Sequence, residues 1–109
     1  MSELDYVPFR ATSDASDGAV QLELSGELDV SSAPVLDEIV AKMRPIASPL
    51  TIDVAGLTFV DSAGLRALTA LRRTAIEESG APVTLARCPD ALRRLLTLSG
   101  LADAFGVSN

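Results

Sequence analysis

Asp61, Ser62, Ala63 and Gly64 are the consecutive residues in this chain best placed to do chemistry. The aspartate carboxylate can accept the unpaired N–H groups of a helix's first turn. A hydroxyl follows it, and then two residues with almost no side-chain bulk. Such a helix tip exposes backbone donors, the positive end of the helix dipole and one hydroxyl, which suits a phosphate, bound or covalently attached. A serine on a tight turn after a strand is also where an activated nucleophile would stand, but that chemistry needs a base within reach. The chain has no histidine and a single lysine, Lys42. The usual partners of a nucleophilic serine are nearly absent. The residues alone thus argue against an enzyme, and they leave Ser62 open between an ordinary first-turn serine and a hydroxyl that meets a phosphate.

Flanking segments must position this tip. Upstream, Leu50-Thr51-Ile52-Asp53-Val54 is a short β-branched, alternating run and reads as a strand, with Asp53 as a strand-end acid rather than a metal ligand. Downstream, Leu65, Leu68, Leu71, Arg72, Ala75 and Ile76 recur with helical spacing, predicting a helix from Ser62 to about Ser79 that stops at Gly80. Ser62, Arg66, Thr69 and Arg73 fall on one side of that helix, away from its leucines.

The rest of the chain alternates strands and helices. Met1–Pro8 reads as a loosely held lead-in, Phe9–Thr12 as a first strand, and Asp14–Gly18 as a hairpin turn with an Asp-Gly signal. In Ala19–Ser25, Val20, Leu22 and Leu24 alternate with polar residues, the mark of a strand with one buried face. Gly26-Glu27-Leu28-Asp29 reads as the loop after it, and Ser32 as the N-cap of a helix carrying Leu36, Ile39, Val40 and Met43 on one stripe. Val83–Ala86 reads as a fourth strand, Pro89-Asp90 opens a third helix that ends near Gly100, and Phe105-Gly106-Val107 is a candidate final strand. The class is α/β: one domain over 1–109, with a mixed four- to five-stranded sheet covered by about three main helices.

Composition narrows the partners. The 109 residues carry a formal charge of −6, against a nucleic-acid surface. Residues 1–61 hold eleven acids and three bases, whereas 62–109 hold four acids and six arginines. An acidic molecule with an arginine-bearing helix beside its key loop favours a protein partner. Cys88 is the lone cysteine, so no internal disulfide forms, and beside Pro89 it reads as inert. Met1–Arg10 lacks the basic start and apolar run of a signal peptide, and no stretch reaches membrane-spanning length, so the expected address is the cytoplasm.

With Gly-Glu-Leu-Asp at 26–29 and Phe-Val-Asp-Ser-Ala-Gly-Leu at 59–65, the chain resembles the STAS domain of bacterial anti-sigma factor antagonists. Ala55-Gly56-Leu57 and Ser99-Gly100-Leu101 extend the match over roughly residues 7–105. The resemblance implies a partner switch: the antagonist binds an anti-sigma factor that is also a GHKL-type serine kinase, and so frees a sigma factor. It implies that the kinase, carrying its own ATP and magnesium, phosphorylates Ser62, that this weakens binding, and that a phosphatase resets it; the antagonist itself needs no cofactor. Asp61 matches the acid before that serine, and Asp29 the acid of the neighbouring loop. Asp29, Asp61, Ser62, Ala63, Gly64, Arg66 and Thr69 are the expected partner-facing residues. Many members carry a second hydroxyl where this chain has Ala63, which leaves Ser62 as the acceptor here. STAS domains also serve as accessory modules of lipid or small-ligand transporters and of signalling scaffolds, uses that need no switchable serine.

Overall fold

Residues 7–107 are described by the computed structural model, apart from 17, 47, 48 and 81. The elements run in the order β1 (Arg10–Ser16), β2 (Ala19–Leu28), α1 (Ala33–Met43), β3 (Leu50–Val60), α2 (Ser62–Ser79), β4 (Val83–Ala86) and α3 (Asp90–Leu98). The strands form one sheet in the order β1-β2-β3-β4. The β1/β2 pair is antiparallel and the other two are parallel. Among the described residues the sheet therefore has four strands and is mixed, an α/β architecture.

Alternation builds the core. Leu22, Leu24 and Leu28 of β2, Leu50, Ile52 and Val54 of β3, and Val83 and Leu85 of β4 are all buried. Leu36 and Val40 of α1, Leu68, Leu71 and Ala75 of α2, and Leu92 and Leu96 of α3 join them in one cluster. Helix α2 and strand β4 match the expected bounds, and α2 ends as its sequence dictates. Gly80 takes φ 70°, and its N–H donates to Ile76 O, the left-handed stop that only glycine adopts without cost.

Several boundaries move. Strand β1 runs on to Ser16, through the start of the expected turn, because its pairing with β2 continues unbroken to Ser16↔Ala19. Asp17, half of the Asp-Gly signal, lies outside the described residues, as do residues 1–6 of the expected lead-in. Strand β2 does not end at Ser25 but includes Gly26, Glu27 and Leu28, the residues expected as loop. Strand β3 likewise continues from Val54 to Val60. The two extensions support each other, with Gly26 opposite Leu57, Glu27 opposite Phe59 and Leu28 opposite Val60. The candidate strand at 105–107 is a series of turns instead. It keeps one sheet-like bond, Leu85 N–H to Phe105 O at 2.9 Å, while Arg72 donates to Ala104 O and stands 6.0 Å over the buried Phe105 ring.

Asp53 is corrected as well: it lies within β3 and is buried. The Arg87 guanidinium, leaving β4 at φ 55°, donates through Nε to both carboxylate oxygens at 3.2 and 3.1 Å. That hydrogen bonding holds the Asp53 carboxyl below its ordinary value against the opposing effect of burial, and the Ala55 N–H adds to it. Glu78 is lowered in the same way, first by the Ile46 N–H and then by Arg44. A folded-state pKa below the unfolded one gives stability that is complete above the unfolded pKa and lost as pH falls through the folded value. The unfolding temperature should stay level down to about pH 5 and fall below about pH 4, the carboxylate range. Asp53→Asn should flatten that acid limb; a chain as stable at pH 3 as at pH 7 in a thermal melt would contradict it.

Candidate functional site

Strands β2 and β3 run parallel, so the segments that leave their C-terminal ends lie side by side. Leu28 pairs with Val60, and one residue further on the Asp61 N–H donates to Leu28 O at 3.3 Å. The Asp29–Ser32 loop and the start of α2 are thereby fixed as neighbours, although the two segments are some thirty residues apart in the chain.

Asp61 is the N-cap of α2. Its Oδ1 accepts from the Gly64 N–H at 2.8 Å, and its carbonyl accepts from the Leu65 N–H at 2.9 Å. Ser62 opens the helix and is exposed, and Ala63 is half-buried. The N–H groups of Ser62 and Ala63 have no hydrogen-bond partner among the described residues. The tip therefore carries a hydroxyl, two open donors and the positive end of an 18-residue helix, with one carboxylate beside it.

Gly64 faces inward. A Cβ built there would stand 2.3 Å from Leu28 O, 2.9 Å from Leu28 Cγ and 3.0 Å from Leu28 C. The missing side chain lets the helix start pack directly on the end of β2, so any part Gly64 plays in docking acts through that packing. Arg66 and Arg73 are exposed and Thr69 is half-buried, with its hydroxyl donated to Leu65 O at 2.9 Å. The expected stripe of Ser62, Arg66, Thr69 and Arg73 thus forms along α2, but the Thr69 donor is already used within the helix.

Asp29 is brought beside the tip, yet its carboxylate is committed to its own loop. Oδ1 accepts from Ser31 Oγ at 2.7 Å, Ser31 N–H at 3.0 Å and Ser32 N–H at 3.2 Å. Those donors, Ser31 Oγ foremost, hold its pKa below the ordinary value. Ser32 stands at the N-cap position of α1, as expected, but its side chain makes no capping hydrogen bond. Its buried hydroxyl accepts from Asp29 N–H at 2.9 Å and donates to Glu27 O at 2.8 Å, stitching the loop to β2. Ser31 and Ser32 were missed as organisers of the site; the available signal was short hydroxyl residues two and three positions after an aspartate, the pattern of side-chain-closed turns.

The exposure of three apolar side chains at this end of the sheet was not legible in the sequence. Val30 is 72% exposed, Phe59 52% and Val35 45%, on the loop, the end of β3 and the first turn of α1. Phe59 further lines a groove of about 280 Å³ with Leu57, Thr58 and Val60 on one side and Pro89, Ala91, Leu92 and Leu95 on the other. Exposed apolar residues at an end of the sheet that also carries Asp29, Asp61 and Ser62 suit a protein partner.

Lys42 lies ten residues along α1 from the loop end, roughly 15 Å away by helical rise. Cys88 is half-buried on the segment before α3, and burial pushes its thiol pKa up, away from reactivity. Among the described residues no three of His, Cys, Asp and Glu gather into a set that could hold a metal ion. No described helix is long and apolar enough to cross a membrane.

Comparison with known proteins agrees with this geometry. The family model "Mlab, STAS domain" matches residues 11–107. The anti-sigma-B factor antagonist of Bacillus subtilis (strain 168) is 29% identical over 89 residues, covering 82% of this chain and 81% of that protein. The crystal structure of an anti-sigma factor antagonist from Mycobacterium paratuberculosis superposes with a TM-score of 0.77 at 28% identity, over 92% of this chain and 85% of that one. A sulfate transporter family protein from Wolinella succinogenes shares the fold, with a TM-score of 0.70 at 19% identity over 85% and 75% of the two chains.

Proposed function

The chain belongs to the STAS domain family, and from that premise we propose that it is an anti-sigma factor antagonist that works by partner switching. Unphosphorylated, it binds an anti-sigma factor that is also a GHKL-type serine kinase and thereby releases a sigma factor. Transfer of phosphate to Ser62 weakens that complex, and a phosphatase restores it. ATP and magnesium belong to the kinase. The domain is not itself an enzyme, and it acts in the cytoplasm with neither nucleic acid nor membrane as a partner.

The observation that carries this reading is Ser62 itself: an exposed hydroxyl at a capped helix start, with Gly64 seated on Leu28 and the Asp29 loop alongside. Similarity to two antagonists, each covering more than four-fifths of this chain, supports the partner class. The test is to mix the domain with its anti-sigma factor and ATP and to map phosphate by mass spectrometry. Stoichiometric label on Ser62, absent from Ser62→Ala, is expected; label elsewhere, or none, overturns the reading.

The contact face continues along α2 through Arg66, which makes no ion pair among the described residues. Arg66→Glu should weaken the complex about tenfold or more, as expected for reversing a charge at a desolvated contact. Unchanged affinity in a calorimetric titration would remove Arg66 from the interface. The competing use is as an accessory module of a transporter, which the shared fold of the Wolinella protein supports. Pull-down from the native cell separates the two: a GHKL-type kinase favours the switch, a transporter ATPase the module.

A further inference from the structure

The edges of the sheet are unequal. Strand β4 has four residues, and its outer side is partly covered where Leu85 N–H meets Phe105 O. Strand β1 has seven residues, paired with β2 without interruption from Arg10↔Ser25 to Ser16↔Ala19. It contains no proline, lysine or bulge, and its two charges, Arg10 and Asp14, are of opposite sign and so can pair with those of a second copy.

The ladder fixes which groups that edge offers. The Val20 N–H donates to Pro49 O, so the backbone of Val20, and by alternation of Leu22, points toward β3. Gln21 and Glu23 then point toward β1, where their partners are Asp14 and Thr12. In an antiparallel pair the hydrogen-bonded residues alternate, so Ala11, Ser13 and Ala15 direct their N–H and C=O groups outward. None of those three bonds to another described residue.

We infer that β1 is the docking edge for a second copy of this chain, paired antiparallel about a two-fold axis at Thr12. With Thr12 opposite its symmetry mate, Ala11 faces Ser13 of the second copy, and Ser13 faces its Ala11. Both are outward-directed residues, so two hydrogen-bonded pairs close four inter-chain bonds. In the same register Arg10 stands opposite Asp14 of the second copy, twice by symmetry, at the non-hydrogen-bonded positions where side chains lie closest. Neither Arg10 nor Asp14 has an ion-pair partner among the described residues. A self-complementary strand of this kind makes a closed, two-fold interface and one continuous eight-stranded sheet. Ser62 follows β3, two strands from this edge, so both copies keep their switch loops open.

Sedimentation equilibrium of the full chain, up to about 1 mM, tests this in the affinity range of weak dimers. The unaltered chain should approach twice its 11.4 kDa mass as concentration rises. Arg10→Asp and Asp14→Arg should each weaken the dimer roughly tenfold, since each sets like charges opposite one another at two places. The double swap Arg10→Asp/Asp14→Arg should bring affinity back close to the starting value. Ser13→Pro removes an outward donor without touching the β1/β2 ladder, and should leave a monomer with an unchanged unfolding temperature. A single-chain mass at every concentration overturns the proposal, as does a dimer indifferent to Ser13→Pro and Arg10→Asp. Loss in both single variants without recovery in the swap overturns the register.

Discussion

Gly64→Ala should lower the unfolding temperature by about 5–15 °C and weaken partner binding with it, although alanine is the better helix former. Two effects oppose each other. In a helix interior, alanine is favoured over glycine by about 1 kcal/mol. Against this, the new Cβ would sit 2.3 Å from Leu28 O, a backbone atom paired into the sheet. Relief needs the start of α2 to move outward by about an ångström, which stretches the 3.3 Å bond from Asp61 N–H to the same Leu28 carbonyl. Overpacking of this kind costs typically 1–3 kcal/mol, occasionally more, and the rigid strand end places it in the upper part of that range. The net loss, about 1–2 kcal/mol, converts to the stated shift for a domain of this size. Leu28→Ala would remove only the side-chain contact and should not rescue the variant. A thermal melt in which Gly64→Ala equals or exceeds the unaltered chain would mean that helix propensity wins and the close approach is not tight.

That glycine illustrates what the sequence made visible. Its place in the first turn of a helix was legible from Asp61 and the leucine spacing; its burial against Leu28 was not, because nothing local says which strand end the helix start will meet. The bounds of α2 and β4 were legible because each has a chemical stop, Gly80 with φ 70° for the helix and the Pro82 approach for the strand. The far halves of β2 and β3 were hidden by register. Between Glu23 and Ser25, and again between Gly26 and Glu27, β3 supplies one residue more than β2. Each bulge slips the period-two pattern, so Ala55 and Gly56 are both exposed and so are Thr58 and Phe59. A reader who follows alternation alone stops at Val54. At the site the sequence showed which residues would stand near the start of α2, but not what each is bonded to. Asp29 lies where the resemblance places an acid, yet Ser31 and Ser32 occupy its carboxylate, and that pairing exists only once Glu27 has been placed in a strand.

Ser62→Asp should bind the anti-sigma partner two to three orders of magnitude more weakly than the unaltered domain, with its fold unchanged, and phosphoserine should do the same. A phosphate adds about −1.5 to −2 charge at neutral pH. Within the free domain this charge is well placed, since the N–H groups of Ser62 and Ala63 are open and the helix dipole favours an anion there by about 0.3–1 kcal/mol. The nearest carboxylate, Asp61, is turned back to Gly64 N–H, which limits repulsion inside the monomer. The penalty arises on docking. Val30, Val35 and Phe59 are exposed on the segments that meet at this end of the sheet, so a partner that covers them together with the tip must strip water from the new charge while packing on apolar atoms. A loss of about 3–4 kcal/mol corresponds to the expected weakening. The expected mode is obstruction of an interface, not a change of fold, and the two separate cleanly. Under obstruction, Ser62→Asp melts at or slightly above the unaltered chain while its affinity collapses, and Ser62→Ala keeps near-normal affinity but takes no label. If Ser62→Asp lost affinity only in proportion to a lowered unfolding temperature, the phosphate would act through the core. If it bound as tightly as serine, the hydroxyl at the tip of α2 would not be the switch.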